Sequence, residues 1–252
     1  MFRKPKNEPV IEPLLLAATQ VATYDGDAFL TNASGFLFER DNRLFLVTSR
    51  HVVADEATQH HPNRIEMELH TNPADMAQST GYSIPLYKNG TSVWRQGEDA
   101  GGNIDVAVIE LDRRAFPKSA VYYAFTPKHL PAAEDVVEIG SSLLVVGFPL
   151  GFHDTLHHVP VIRHAVVASS FGMRFQGHGY FLTDARTHRG SSGAPVVMRV
   201  EGPGKRFGDL PWMLVGVHSA RFDVGSRDLN QDEALGLNCA WYVDILMTLT
   251  TK

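Results

Sequence analysis

The chain has 252 residues, of which 44% are hydrophobic and 20% charged, and its formal net charge at pH 7 is −5. This composition excludes wholesale disorder, and a chain of this length can bury a sizeable core without cross-links. The negative balance argues against a general nucleic-acid binder, because phosphate contacts need many Lys and Arg side chains. We therefore expect a globular protein with no nucleic-acid partner.

Short β-rich segments bounded by turns outnumber helical ones along the chain. A brief helical turn is predicted over 52–56 and a closing helix over 240–249, where apolar residues recur at helical spacing. The proline-containing stretch 113–135 is predicted to be a linker between two groups of strands. In chain order the predicted strands are 14–22, 35–39, 44–48, 65–69, 106–111, 142–146, 163–168, 179–183, 194–198 and 213–218.

Short strands at close spacing, divided in the middle, favour an all-β protein of two antiparallel barrels packed side by side. The predicted units are an N-terminal barrel over 14–118, a C-terminal barrel over 132–239 and a short C-terminal helix over 240–249. A single distorted sandwich is the structural alternative.

Cysteine usage and hydropathy bear on the compartment. The single cysteine, Cys239, excludes an intramolecular disulfide, as a reducing compartment would require. No stretch approaches the roughly 18 apolar residues that a membrane-spanning helix needs. Near the N-terminus, glutamates and prolines interrupt the apolar run that a signal peptide requires. We therefore expect a cytoplasmic protein without a membrane partner.

The strongest chemical signal is the segment 190–195 (GSSGAP), which lies between two predicted strands. A nucleophilic serine needs a sharp turn that exposes its hydroxyl and directs backbone N–H groups to one point, and glycines permit such a turn. With Ser192 as the nucleophile, the N–H groups of Ser192 and Gly190 would form an oxyanion hole. Taken alone, the segment is also compatible with an ordinary Gly/Ser/Pro turn.

A serine nucleophile needs a base, and the base needs a group to orient it. Of the twelve histidines, His51 stands out because it follows the β-like run 44–48 and precedes a short apolar turn. Asp105 leads the apolar strand 106–111, where an acid has no packing role. In isolation, Asp105 would be interpreted as a turn or capping residue.

These three motifs together resemble those of the chymotrypsin-like (trypsin-fold) serine proteases, in the order His51, Asp105, Ser192. The resemblance covers roughly residues 14–248 and implies two six-stranded antiparallel β-barrels. It implies a catalytic triad of these residues, a protein or peptide substrate, and neither cofactor nor metal. His153, His157 and His158 are close in sequence but complete no metal-binding motif.

Within that family, the segments 145–151 and 182–185 are similar to those of bacterial Deg proteases. Thr187, five residues before the serine, and His218, on the strand after it, resemble the pocket residues of glutamyl endopeptidases. A hydroxyl and an imidazole can hydrogen-bond an acidic side chain, and Arg186 adds positive charge nearby. These residues favour cleavage after Glu.

The chain also departs from the family pattern. Ala194 stands where a second glycine is usual, and Ser191 replaces the aspartate that digestive members pair with a new N-terminus. We therefore expect no zymogen ion pair. We also expect no C-terminal peptide-binding (PDZ) domain, because few residues follow the closing helix.

Two other functions compete with the peptidase. One is a catalytically silent protease-fold binding module, which is disfavoured because all three triad residues are present. The other is an esterase-like acyl hydrolase, although the strand–turn–helix elbow of the α/β-hydrolases is missing. The sequence predicts neither the substrate protein, the activation mechanism nor the oligomeric state.

Overall fold

The computed structural model describes residues 11–200, 210–221 and 236–252, except for the side chain of Arg221. These residues are mostly β: a large antiparallel sheet, called here the sheet, is followed along the chain by a closed barrel, called the barrel. None of the helices they form is both long and apolar enough to span a membrane.

The first half of the chain forms the sheet, whose seven strands lie in the order β5-β4-β1-β2-β3-β11-β8 among the described residues. Two small two-stranded ribbons, β6–β7 and β9–β10, accompany it. The strands are β1 (Ala18–Asp25), β2 (Ala28–Arg40), β3 (Arg43–Thr48), β4 (Arg64–His70), β5 (Ser79–Pro85), β6 (Tyr87–Lys88), β7 (Thr91–Ser92), β8 (Trp94–Arg95), β9 (Glu98–Asp99), β10 (Gly102–Asn103) and β11 (Ala107–Leu111).

The prediction of a closed six-stranded barrel in this half was wrong. Strand β5 pairs with β4 at one end of the sheet, and the two-residue β8 pairs with β11 at the other. These two edge strands do not pair with each other within the described chain, so the ladder stays open. The predicted strand over 14–22 also begins and ends later than expected, as Ala18–Asp25, because a 3-10 turn over Pro13–Leu16 precedes β1.

The second half forms the barrel, which closes in the order β12-β13-β14-β17-β16-β15. Its neighbouring strands are antiparallel, so the prediction of a six-stranded antiparallel barrel here is confirmed. The strands are β12 (Ser142–Gly147), β13 (Val161–Val167), β14 (Tyr180–Asp184), β15 (Pro195–Arg199), β16 (Trp212–Arg221) and β17 (Leu237–Tyr242).

Two short α-helices are described, α1 (Arg50–Val53) and α2 (Ile245–Leu249). The helix predicted over 240–249 begins only at Ile245, because residues 240–242 complete β17. Ala240 pairs with both neighbouring strands of the barrel, and the consecutive residues Ala240 and Trp241 are both buried, so this apolar run belongs to a strand buried on both faces. Short 3-10 turns lie at Pro127–His129, Pro149–Gly151 and Phe175–Gly177.

A shared apolar core fixes the sheet against the barrel. One cluster of buried side chains contains Phe38 and Val47 from the sheet together with Leu214 and Trp241 from the barrel. The predicted linker contributes too, since Phe125 is fully buried and its backbone bridges to Phe38. Burial of this apolar surface holds the two halves in one fixed relation, and the candidate site lies where they meet.

Arginines of the sheet also hold the segment around α2, which follows the barrel. Backbone carbonyls at the C-terminal end of a helix lack partners within the helix, and guanidinium groups satisfy them well. The contacts run from Arg40 Nη1 to the carbonyl of Met247 (2.6 Å), from Arg43 Nη1 to Thr250 (3.1 Å) and from Arg95 Nη1 to Leu249 (3.3 Å).

Candidate active site

The fold brings together the three predicted triad residues, which come from three separate elements. His51 lies in α1 directly after β3, and Asp105 lies in the connection between β10 and β11. Ser192 lies in the turn between β14 and β15 of the barrel. His51, Gly190 and Ser192 all line one cavity of about 480 Å³.

Asp105 holds His51 through two hydrogen bonds. The ring Nδ1–H of His51 donates to Oδ2 of Asp105 at 2.7 Å, and the backbone N–H of His51 donates to Oδ1 at 2.9 Å. The side-chain hydroxyl of Ser219 donates a third, short hydrogen bond to Oδ2. The carboxylate therefore fixes both the orientation of the ring and the tautomer in which Nε2 carries no proton.

Burial and charge act against each other in this pair. Burial alone would lower the pKa of His51, but the hydrogen bond and the negative charge of Asp105 outweigh it, so the pKa is raised above 6.5. For Asp105, burial alone would raise the pKa, but the hydrogen bond and the charge of His51 outweigh it, so the pKa of Asp105 is lowered. Asp105 is thus ionised at neutral pH and stabilises a protonated His51.

The hydroxyl of Ser192 is directed away from His51 in this conformation. Its Oγ–H donates to the backbone carbonyl of Ser219 at 2.9 Å. Among the described residues, no hydrogen bond joins Ser192 Oγ to His51. Transfer of the serine proton to Nε2 therefore requires rotation of the Ser192 side chain to another staggered position, and such contacts are often loose before substrate binds.

Two glycines make the serine turn sterically accessible. Gly190 and Gly193 have φ values of +88° and +84°, in the region that side chains disfavour. A Cβ on Gly193 would lie 2.2 Å from the carbonyl oxygen of Ser34, and one on Gly190 would lie 2.6 Å from that of Phe148. The turn thus packs tightly against its neighbours and leaves no room for other residue types.

The N–H groups of Gly190 and Ser192 have no acceptor among the described residues. The carbonyl of Arg189 accepts from the backbone N–H of Leu150, so the N–H of Gly190 in the same planar peptide points away from Leu150. This orientation is compatible with the predicted oxyanion hole, which needs both N–H groups free for a substrate oxygen.

Ser34, in strand β2 of the sheet, holds the serine turn through hydrogen bonds. The sequence analysis did not identify it. Its side chain is fully buried, and its hydroxyl donates to the carbonyl of Gly190 at 2.7 Å while accepting from the N–H of Phe148 at 2.9 Å. Its backbone N–H donates to the carbonyl of Ser192 at 2.9 Å. One buried serine of the sheet thereby positions the turn of the barrel.

Ser219 was also missed, although it directly follows His218 on a strand that the sequence had singled out. Its hydroxyl contacts Asp105 and its carbonyl contacts Ser192, so it connects the carboxylate and the nucleophile. Small polar residues that follow a candidate pocket residue are the one sequence signal that could have identified it.

The predicted specificity residues differ in their surroundings. His218 is 2% exposed, and its Nδ1 has no hydrogen-bond partner in the described part of the chain. Burial and the nearby His51 lower the pKa of His218 to about 4, so its ring is neutral at pH 7. Thr187 is buried and its hydroxyl donates to the side-chain oxygen of Asn238. Arg186 is exposed.

The three loop histidines do not form a metal site. His153 Nδ1 contacts the carbonyl of Gly151 at 2.6 Å, and His157 Nδ1 donates to Asp154 at 2.8 Å. Across the described ranges, no group of three or more His, Cys, Asp or Glu side chains could hold a metal ion.

An aspartate–histidine pair beside a serine on a glycine turn, at the junction of a β-sheet and a β-barrel, is the arrangement that serine hydrolases use for acyl transfer. Comparison with known families agrees with this class. Residues 33–202 match the trypsin-like peptidase domain, and the chain belongs to this family.

A similar solved structure is the crystal structure of the serine endoprotease from Yersinia pestis. The two share 15% sequence identity with a TM-score of 0.55, and the alignment covers 98% of this chain but 66% of the Yersinia chain. At this identity the likeness shows the trypsin-like fold, and the chain spans about two thirds of the Yersinia protein's length. No curated protein sequence matches the chain.

Proposed function

We propose that the protein is a serine endopeptidase that forms an acyl-enzyme on Ser192. The observation that carries this proposal is the doubly hydrogen-bonded His51–Asp105 pair, whose histidine lines one cavity together with a serine on a constrained turn. Membership of a peptidase family supports protein or peptide substrates. A resting pair with a raised His51 pKa is suited to accept the serine proton and later release it.

In the proposed reaction, the Ser192 hydroxyl rotates from the Ser219 carbonyl towards His51 and attacks the peptide carbonyl carbon. His51 Nε2 takes the serine proton, and the N–H groups of Gly190 and Ser192 stabilise the oxyanion. His51 then gives the proton to the leaving amine as the C–N bond breaks. Water, deprotonated by His51, hydrolyses the acyl-enzyme and regenerates Ser192.

A fluorophosphonate probe tests the nucleophile. We expect covalent labelling of the wild-type protein and none of Ser192→Ala, with peptide hydrolysis reduced by at least about 10⁴-fold. Ser191→Ala is the matched control, since it removes the neighbouring hydroxyl and should keep labelling. Absence of labelling in folded wild-type protein would instead indicate a catalytically silent binding module. Hydrolysis of esters but of no peptide would indicate the esterase-like alternative.

The proposal includes a preference for Glu before the scissile bond. The supporting feature is His218, whose buried ring is neutral and has an unpartnered Nδ1 in the described structure. A buried polar atom without a partner is costly, and a substrate group that pairs with it recovers that cost. An ionised Glu side chain only accepts hydrogen bonds, so Thr187 can bind it only when its hydroxyl leaves Asn238.

Peptides that differ only in Glu, Gln, Lys or Leu before the scissile bond test this preference. We expect the highest kcat/KM for Glu, and a loss of at least about ten-fold for Glu alone in His218→Leu, because the histidine is the donor. Arg186→Gln should have a smaller effect, since Arg186 is exposed. A wild-type preference for Lys or Leu would contradict the Glu assignment and leave the peptidase assignment intact.

We also propose that the enzyme works in the cytoplasm. Within its family, we propose that it is most similar to the Deg and glutamyl endopeptidase groups. The lone Cys239, which is free, supports a reducing compartment. Fractionation of cells that express the full-length protein tests the location.

A further inference from the structure

The cavity at the candidate site lies on one side of Ser192 only. It is lined by residues of β2, by the segment after α1 and by the serine turn, but by neither Thr187 nor His218. In the proposed function those two residues receive the side chain before the scissile bond. The cavity is therefore the space left for the residues after that bond, next to the His51 that protonates the leaving amine.

One wall of this cavity is a free strand edge. Strand β3 pairs with β2 only over 36–40, whereas β1 pairs with β2 along 28–36. Beyond the end of β3, the backbone N–H of Ser34 faces the barrel and donates to Ser192. Alternate residues of an antiparallel strand direct their backbone groups to the same edge, so Asn32 directs its N–H and C=O to the cavity that it lines. The Asn32 C=O also accepts a long hydrogen bond from the Thr31 hydroxyl, at 3.4 Å.

The spacing defines which substrate residue reaches Asn32. Asn32 is two residues from Ser34, or about 7 Å along an extended strand. The second residue after the scissile bond lies at about the same distance from the bond in an extended peptide. A substrate added to this edge therefore brings its second leaving-group residue beside Asn32.

Exposed apolar side chains lie near that position. The pairing of β1 with β2 shifts register between Thr23 and Tyr24, which leaves Leu30 as an extra, bulged residue opposite β1. A bulge re-aims side chains, and Leu30 is 40% exposed and lines the cavity. Leu150 and Phe152, 68% and 70% exposed, flank Gly151, which packs against the Asn32 side chain.

The charges in the cavity oppose each other. Its lining includes the negative Asp55 and the positive Arg189, together with His51 and His60. This pairing favours neither an acidic nor a basic side chain, whereas Leu30, which is 40% exposed, offers apolar surface. Contact with that surface would take a side chain out of water without burying a charge.

Resting on the proposed function, we propose that Leu30, aided by Leu150, selects peptides with an aliphatic side chain at the second position after the scissile bond. The bulge at Leu30 is the specificity-determining feature, and the free edge at Asn32 aligns the peptide. This selection is separate from the preference before the bond, because the two sets of residues share no side chain.

Acyl transfer to an added amine tests the leaving-group side of the site separately, because only the acceptor amine is varied. The enzyme is acylated by the p-nitrophenyl ester of an N-blocked glutamate, or by p-nitrophenyl acetate, and offered Ala-Leu-amide or Ala-Asn-amide as acceptor. The acceptor amine attacks the acyl carbonyl, the ester bond to Ser192 breaks, and the proton passes through His51 back to Ser192. The ratio of peptide product to hydrolysis, compared between the two acceptors of similar size, measures selection at the second position.

We expect the wild-type enzyme to favour the Leu acceptor by about five-fold or more, and Leu30→Ser to remove most of that preference, because apolar contact area is lost. Leu150→Ser, in an exposed loop, should also reduce the preference for the Leu acceptor. It is the variant to test if Leu30→Ser does not fold. Val136→Ser removes an aliphatic side chain that is 70% exposed elsewhere and should leave the ratio unchanged.

Equal partition between the two acceptors in the wild type, or full Leu preference in both Leu30→Ser and Leu150→Ser, would overturn the proposal while leaving the peptidase assignment standing. Failure of both esters to acylate Ser192 would overturn the proposed function itself, and this inference with it.

Discussion

The protein contains two histidine–aspartate pairs of nearly the same local geometry. In His51–Asp105 and in His157–Asp154, the aspartate accepts from both the ring Nδ1 and the backbone N–H of the histidine, with ring distances of 2.7 and 2.8 Å. The side chains of the first pair are 33% and 18% exposed, and those of the second are 45% and 46% exposed.

The difference between the pairs lies in what surrounds them. Asp154 and His157 are three residues apart in one loop, so a local turn suffices to join them. His51 and Asp105 are far apart in sequence and meet only because the fold brings them together. Asp105 also accepts a hydrogen bond from Ser219, whose carbonyl accepts one from Ser192. A histidine–aspartate hydrogen bond is therefore no sign of catalysis by itself; burial and an adjacent nucleophile distinguish the two.

The largest expected contrast comes from the two aspartates. Asp105→Asn should reduce kcat by about 10⁴-fold, because the amide favours the wrong tautomer of His51 and no longer stabilises its positive charge. Asp154→Asn makes the same chemical change in the exposed pair and should alter kcat by less than about two-fold. Steady-state kinetics of the two variants test this expectation. Comparable losses of kcat in both would contradict the assignment of the triad.

A smaller effect is expected at Ser34, which holds the serine turn next to the His51–Asp105 pair. Ser34→Ala leaves the Gly190 carbonyl without its donor, so we expect kcat to fall by about 10–100-fold with little change in KM, as for a loosened oxyanion hole. Ser169→Ala is the control, since its hydroxyl also accepts a backbone N–H, that of Leu182 at 2.9 Å. A loss of thermal stability with unchanged kcat would reduce Ser34 to a structural role.

The smallest expected effect is on the pH dependence of kcat/KM. His51 must be neutral to act as base, so activity should fall as the pH decreases through its raised pKa, with a midpoint above 6.5. The charge of Asp55 contributes to that increase, so Asp55→Asn should lower the midpoint and extend activity to lower pH. Asp154→Asn should leave the midpoint unchanged, and an unshifted profile in Asp55→Asn would exclude this influence.

The sequence predicted well what depends on local pattern. Strands around 44–48, 106–111 and 142–146 were recognised from their apolar runs, and the serine turn from its glycines. The open sheet was not recognised, because β5 has weak alternation and β8 has two residues. Residues 240–242 resembled a helix because Ala240 and Trp241, which lie on opposite faces of the strand, are both buried, so the apolar–polar alternation is lost there.

The candidate site shows the same limit. Residue type and order were enough to nominate His51, Asp105 and Ser192, which the fold brings together. Ser34 and Ser219 act through backbone carbonyls and a carboxylate that lie far away in sequence. No spacing rule predicts such contacts, since they depend on how the sheet meets the barrel.

The arginines that bind the carbonyls around α2 bear on how the molecule unfolds. Arg40, Arg43 and Arg95 belong to the sheet, whereas α2 continues from the last strand of the barrel, so these contacts join the two halves beside their shared core, which includes Leu246 and Leu249 of α2. The two halves should therefore lose structure in one cooperative transition rather than in succession. Under the proposed function, such a transition limits self-digestion, because no partly unfolded half is exposed to a neighbouring copy.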